Sequence, residues 1–174
     1  MKISIIGTGM IATEVIKMLR NEAKGIEITS IFSHSNKEKA LTLAKENDID
    51  HVYTDYAQLL KEDEADFVYI ALVNNAHYTY VRQALEAQRN VIVEKPFTST
   101  LEEAKLLAQI ARERGLYLFE AVTPLHTPNF QLVKQSIKRI APIHFAQCNF
   151  SQYSSRYERY LQGDIAPAFN PEPG

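Results

Sequence analysis

The run Ile3-Ser4-Ile5-Ile6-Gly7-Thr8-Gly9-Met10-Ile11-Ala12 decides how this chain reads. A short apolar, β-branched stretch closes on Gly7. A helical pattern then runs from Met10 to about Asn21, with Ile11, Val15, Met18 and Leu19 on one face. A strand that turns through glycines directly into a helix is the first half of a βαβ unit.

The chain repeats that rhythm. Ile26–Phe32 reads as the next strand, and 36–47 as a helix of alternating charges with Ala and Leu at helical spacing. Asp55 reads as the N-cap of a short helix through Leu59 and Leu60. Asp66–Val73 is an apolar strand, and Asn75–Gln88 a helix with Val81, Ala84 and Leu85 inward. Val91-Ile92-Val93 is a strand. Thr100 and Glu103 have capping-box spacing at the head of a helix that ends at Gly115. Leu116–Phe119 is a further strand. Continuous apolar strands separated by amphipathic helices predict a parallel sheet covered on both faces, a doubly wound α/β domain over 1–122.

After Pro124 the pattern changes. Leu125–Arg139 suggests a helix, and Pro142–Tyr153 a long alternating strand. One strand makes no stable sheet by itself. Residues 123–174 are therefore expected to begin an α+β domain without completing it.

The bulk properties set bounds. The chain has 174 residues, 19 Lys and Arg against 21 Asp and Glu, and one cysteine, Cys148. A net charge of −2 gives no basic field for nucleic acid or an anionic membrane surface. A lone cysteine makes no internal disulfide, and no apolar stretch is long enough to span a bilayer. The expectation is a cytoplasmic protein with no nucleic-acid or membrane partner. No His, Cys, Asp or Glu spacing suggests a metal site, and nothing reads as a Ser-His-Asp system.

Gly7-Thr8-Gly9-Met10-Ile11-Ala12 fits G-x-G-x-x-A in the strand–turn–helix context that gives this pattern meaning. The first glycine allows the tight turn, the second lets backbone approach a pyrophosphate, and Ala12 permits close helix packing. The helix end at Met10 and Ile11 then offers unpaired N–H groups to the phosphates. The competing reading is a glycine-rich turn with no ligand. An acid at the end of the second strand would hold the ribose hydroxyls of NAD. Here stand Ser33, His34, Ser35, Asn36 and Lys37, groups better suited to a 2′-phosphate. They favour NADP and leave NAD open. Ser35 or Asn36 also suits the cap of the next helix.

GTGMIA at 7–12, ALVNNAH at 71–77 and EKP at 94–96 together resemble the Gfo/Idh/MocA family of glucose–fructose oxidoreductase and inositol dehydrogenase. GLYLFEAV at 115–122 and the Tyr-rich segment after 150 resemble it too. The resemblance implies a Rossmann domain and an NAD(P)-dependent oxidoreductase acting on sugars, polyols or related hydroxy compounds. It implies that Lys95 is catalytic, stabilising charge on the substrate oxygen. Gly7, Thr8, Gly9, Met10, Ile11, Ser33, His34, Lys37, Ala71, Asn74, His77, Glu94 and Lys95 would line the cofactor. Glu94 would orient the lysine. The alternative for Glu94 and Lys95 is a surface ion pair, worth little, and for His77 a local hydrogen bond at a helix start. Val73 stands where the family commonly has proline.

The resemblance also implies relatives about twice this long, with a D-x-G-x-H helix in a complete second domain that forms a homo-oligomer. That motif is not in this sequence. The chain is therefore expected to be a cofactor-binding portion of such an enzyme. The alternative is a dinucleotide-binding or interaction module without catalysis.

Overall fold

The structure, a computed structural model, describes residues 1–140, 142–149, 151, 157–158 and 161–163. The chain divides into two compact units, Met1–Thr123 and Pro124–Gly174. In the first, β1 (Lys2–Ile6), α1 (Met10–Glu22), β2 (Glu27–Phe32), α2 (Lys37–Glu46) and β3 (His51–Tyr53) make one half. The other half is α3 (Tyr56–Glu62), β4 (Phe67–Ile70), α4 (His77–Glu86), β5 (Asn90–Val93), α5 (Leu101–Glu113) and β6 (Leu118–Glu120).

The six strands form one sheet in the order β3-β2-β1-β4-β5-β6. All five pairings are parallel. This is the Rossmann order, and the direction of winding reverses between β1 and β4. Parallel strands buried on both faces need apolar residues at consecutive positions. Ile5 and Ile6 in β1, and Val68, Tyr69 and Ile70 in β4, are buried at consecutive positions. On one face Ile3, Ile5, Ile28 and Ile31 pack with Ala12, Ile16 and Leu19 of α1. On the other, Ile6, Val68, Ile70, Val91 and Val93 pack with Val81 and Leu85 of α4 and Leu107 of α5. Each fully buried aliphatic side chain contributes about 1.5–3 kcal/mol.

The helix boundaries follow the local chemistry. Asn36 accepts from the Lys39 amide at 2.9 Å, and Asp55 accepts from Ala57 and Gln58. Both hydrogen bonds of the Thr100–Glu103 capping box are present. Gly115, after α5, has φ +65°.

Three details depart from the sequence reading. The inward stripe of α1 is Ala12-Ile16-Leu19, while Met18 is 48% exposed on its rim. The strand expected over 66–73 ends at Ile70, because residues 74–76 already form a 3-10 turn leading into α4. Strand β3 went unread: HVY at 51–53 has too few residues to show a period, and its place is set by pairing with Ser30, Ile31 and Phe32.

A 3-10 turn at Thr123–His126, which starts on the last residue of the first unit, precedes α6 (Pro128–Ile140) of the second. The alternating strand expected at Pro142–Tyr153 is a correction. No strand is assigned to its described residues, 142–149 and 151. Alternation supplies two faces, but a strand also needs a neighbour for its N–H and C=O groups, and among the described residues of this unit there is none. Phe150, Gln152 and Tyr153 lie outside the described residues, as does most of the Tyr/Arg-rich segment after them.

Candidate functional site

Ligands of open α/β sheets sit beyond the C-terminal strand ends, where the winding reverses. Here those ends belong to β1 and β4, and Gly7 is the first residue past β1. It has φ +123° and donates its N–H to Phe32 O at 2.9 Å. A Cβ at Gly7 would collide with the Ala71 carbonyl oxygen and lie 3.1 Å from its carbon. The Ala71 amide in turn donates to Ile6 O at 2.9 Å. The glycine is thus what lets the two loops close on each other.

Gly9 differs. Its φ of −67° and ψ of −179° suit any residue, and a Cβ there meets nothing within 4 Å. The space above it is open. Helix α1 starts at this point with no side-chain cap and no acid in its first turn. Its leading amides, those of Met10 and Ile11 among them, have no partner inside the helix. An uncapped helix end beside open space is suited to an anion. The cradle therefore fits a pyrophosphate, with Thr8 half-buried beside it.

At the end of β2, Ser33 is buried. Its amide donates to Tyr53 O at 3.0 Å, and its hydroxyl oxygen accepts from the Asn36 amide at 3.2 Å. His34 and Lys37 are exposed. Asn36 caps α2, as one of the two readings had it.

The third part is the segment leaving β5. The Glu94 amide continues the β4–β5 ladder to Ile70 O at 2.9 Å. The Lys95–Pro96 bond is cis. Three side chains from three other elements hold this segment. Tyr69 of β4 donates its hydroxyl to Glu94 Oε1 at 2.6 Å. His77, the first residue of α4, has no exposed surface and places Nδ1 2.8 Å from Pro96 O and Nε2 3.2 Å from Leu72 O. Glu120 at the end of β6 accepts the Phe97 amide at 2.9 Å. Burial, then the hydrogen bond and the charge of Glu94, hold the Tyr69 phenol far above its ordinary value.

Lys95 itself is exposed. Glu94 does not pair with its ammonium; Glu94 Oε2 instead accepts the Lys95 backbone amide at 3.2 Å. Among the described residues the ion pairs are Lys2–Glu64, Arg20–Asp48 and Arg82–Glu86, none of them at this edge. A cation held on a fixed backbone and left unpaired can stabilise negative charge developing on a nearby oxygen.

The glycine loop and Ala71 are thus in contact, and Glu94 joins the same edge through the ladder to β4. Asn74 is exposed at the start of the 3-10 turn after β4. His77 lies beneath the surface, against carbonyl groups. Sequence reasoning missed Tyr69. Its signal was a polar tip in the apolar run FVYI, since a buried tyrosine hydroxyl needs a partner. Among the described residues no group of three or more His, Cys, Asp or Glu is arranged to hold a metal, and no helix is long and apolar enough to cross a membrane.

Comparison with known proteins agrees with this architecture. The chain is 34% identical over 170 residues to the uncharacterized oxidoreductase YgjR of Escherichia coli, covering 98% of this chain and 51% of that protein. It is 29% identical over 171 residues to the scyllo-inositol 2-dehydrogenase (NADP(+)) IolU of Bacillus subtilis, covering 98% and 52%. Among solved structures it is similar to KijD10, a 3-ketoreductase from Actinomadura kijaniata in complex with NADP. That likeness has a TM-score of 0.72 at 31% identity, over 80% of this chain and 43–44% of that one. The chain spans about half the length of the curated relatives it matches. Residues 1–122 match the Gfo/Idh/MocA model, an oxidoreductase family with an NAD-binding Rossmann fold, and the chain belongs to that family.

Proposed function

We propose that residues 1–122 are the dinucleotide-binding domain of an oxidoreductase acting on a sugar, polyol or related hydroxy or carbonyl compound, and that 123–174 begin its substrate domain. The observation that carries this reading is the pairing of the Gly7–Ala12 cradle with an exposed Lys95, unpaired among the described residues, at the C-terminal edge of the sheet. The names of relatives that reduce or oxidise sugar-like compounds support it.

The nicotinamide cofactor, when bound, gives or takes hydride. Gly7, Thr8, Gly9, Met10 and Ile11 hold its pyrophosphate through backbone and the helix end. Ala71 and Asn74 border it from the β4 loop, and Glu94 lines it beside Lys95. His34 and Lys37, with Ser33 shaping their turn, favour the 2′-phosphate of NADP over the bare hydroxyl of NAD. His77 acts from below, its ring set between the Pro96 and Leu72 carbonyls and donating to one of them. Lys95 holds its positive charge at the oxygen of the reacting carbon, so that alkoxide character developing there is stabilised. The complete second domain would supply the substrate wall, a proton donor and the contacts of a homo-oligomer.

Fluorescence titration of this chain with NADPH and NADH tests the reading. NADPH is expected to bind about tenfold tighter. Failure of both nucleotides to bind overturns the cofactor assignment. Turnover by the full-length protein on a panel of sugars and polyols tests catalysis, and binding without turnover there would favour a non-catalytic module.

A further inference from the structure

Tyr69 and Glu94 meet directly beside Lys95. Glu94 and Lys95 are sequence neighbours, and a carboxylate beside an ammonium at an exposed strand end would ordinarily form a loose ion pair. That does not happen here. Glu94 Oε1 accepts the Tyr69 hydroxyl at 2.6 Å, within the range of a charge-assisted O–H···O⁻ bond. Glu94 Oε2 accepts the Lys95 backbone amide at 3.2 Å. Each oxygen has a partner, and neither forms an ion pair with the ammonium.

The anchor comes from below. Tyr69 is 8% exposed and packs on the α1 side of the sheet with Ile3, Ile5 and Ala71. Its ring is fixed by that packing, and pairing of Tyr69 with Ile92 sets its height beneath Glu94. Because burial keeps the phenol protonated, the hydroxyl remains a donor across the working pH range.

We propose that Tyr69 is a positioning residue that draws the Glu94 carboxylate under the sheet edge and so keeps the Lys95 ammonium unpaired for the substrate oxygen. This rests on the role for Lys95 proposed above. It differs from a purely structural role because it concerns the availability of one amine.

The test reads that amine directly in the chain as it stands. Lysine acylation is followed by peptide mass spectrometry, with Lys45 and Lys61 as internal references. In Tyr69→Phe, which removes one hydroxyl, Glu94 swings free and pairs with Lys95. Lys95 modification then slows about threefold while the references hold. Tyr69→Phe combined with Glu94→Gln restores the parent rate. Glu94→Gln alone, which needs no change in the core, leaves the Lys95 rate near that of the parent.

An unchanged Lys95 rate in a folded Tyr69→Phe chain overturns the proposal. So does a several-fold gain in Glu94→Gln alone, because Glu94 would then already be pairing with Lys95. Nucleotide titration of the same samples separates the two ideas. Loss of binding in the parent chain refutes the cofactor reading, whereas the amine rates judge Tyr69 regardless.

Discussion

The ring of His77 bridges two carbonyl oxygens, 2.8 Å from that of Pro96 and 3.2 Å from that of Leu72, with no surface exposed to solvent. It ties the loop after β5 to the loop after β4 at the edge where the candidate site lies. His77→Ala removes a buried ring and strands polar groups, so it should cost about 2–4 kcal/mol. Urea denaturation measures this, and amide exchange at Phe97 should quicken. A loss below about 0.5 kcal/mol would show that the ring does not hold the loop.

Gly7 and Gly9 should respond differently to the same substitution. Gly7→Ala forces a side chain into φ +123° and onto the Ala71 carbonyl, so it should destabilise the fold by about 1–3 kcal/mol or more. Gly9→Ala meets no protein atom within 4 Å and should leave the unfolding midpoint unchanged. Its Cβ enters the space assigned to the pyrophosphate, so nucleotide affinity should drop on the order of tenfold. Equal effects on stability from both variants would contradict the assignment of that space.

Under the proposed function, Lys95→Ala should lower kcat by about 100–1000-fold and change nucleotide Kd little. The side chain is exposed, so the fold should be unaffected. Matching losses in kcat and nucleotide affinity would argue against charge stabilisation at the reacting oxygen.

Two buried phenols should make the fold sensitive to alkali. Burial raises the Tyr56 phenol, whose hydroxyl donates to Tyr80 O at 3.1 Å, far above its ordinary 10.0. The folded state keeps the proton while the unfolded chain releases it near its ordinary value. The stabilisation is therefore complete below about pH 10 and is lost as pH rises toward the folded value, by about 1.4 kcal/mol per pH unit for each such group. Tyr69 should behave in the same direction. Urea midpoints measured across this alkaline range should fall less steeply for Tyr56→Phe than for the parent. Identical slopes would show that Tyr56 titrates freely in the folded state.

Much of the first unit was legible because its signals are local. The turn at Gly7, the caps at Asp55 and Thr100, the stop at Gly115 and the inward positions Val81, Ala84 and Leu85 all follow from spacings of a few residues. The Gly-rich turn in its strand–turn–helix setting was legible for the same reason, and with it the place of the candidate site. What misled was pattern without a partner. Residues 142–153 alternate like a strand, yet pairing, not alternation, makes one.

By itself, then, the sequence determined the alternation of strands and helices, the glycine cradle and the identity of Lys95 at a strand end. Tertiary structure alone decided what surrounds that lysine. Tyr69 reaches Glu94 across 25 residues of chain, His77 reaches Pro96 across 19, and Glu120 reaches Phe97 across 23. Those meetings depend on the order and register of β4, β5 and β6 and on the placement of α4. No periodicity within one element encodes them, because hydrogen bonds between strands are fixed only when the sheet assembles.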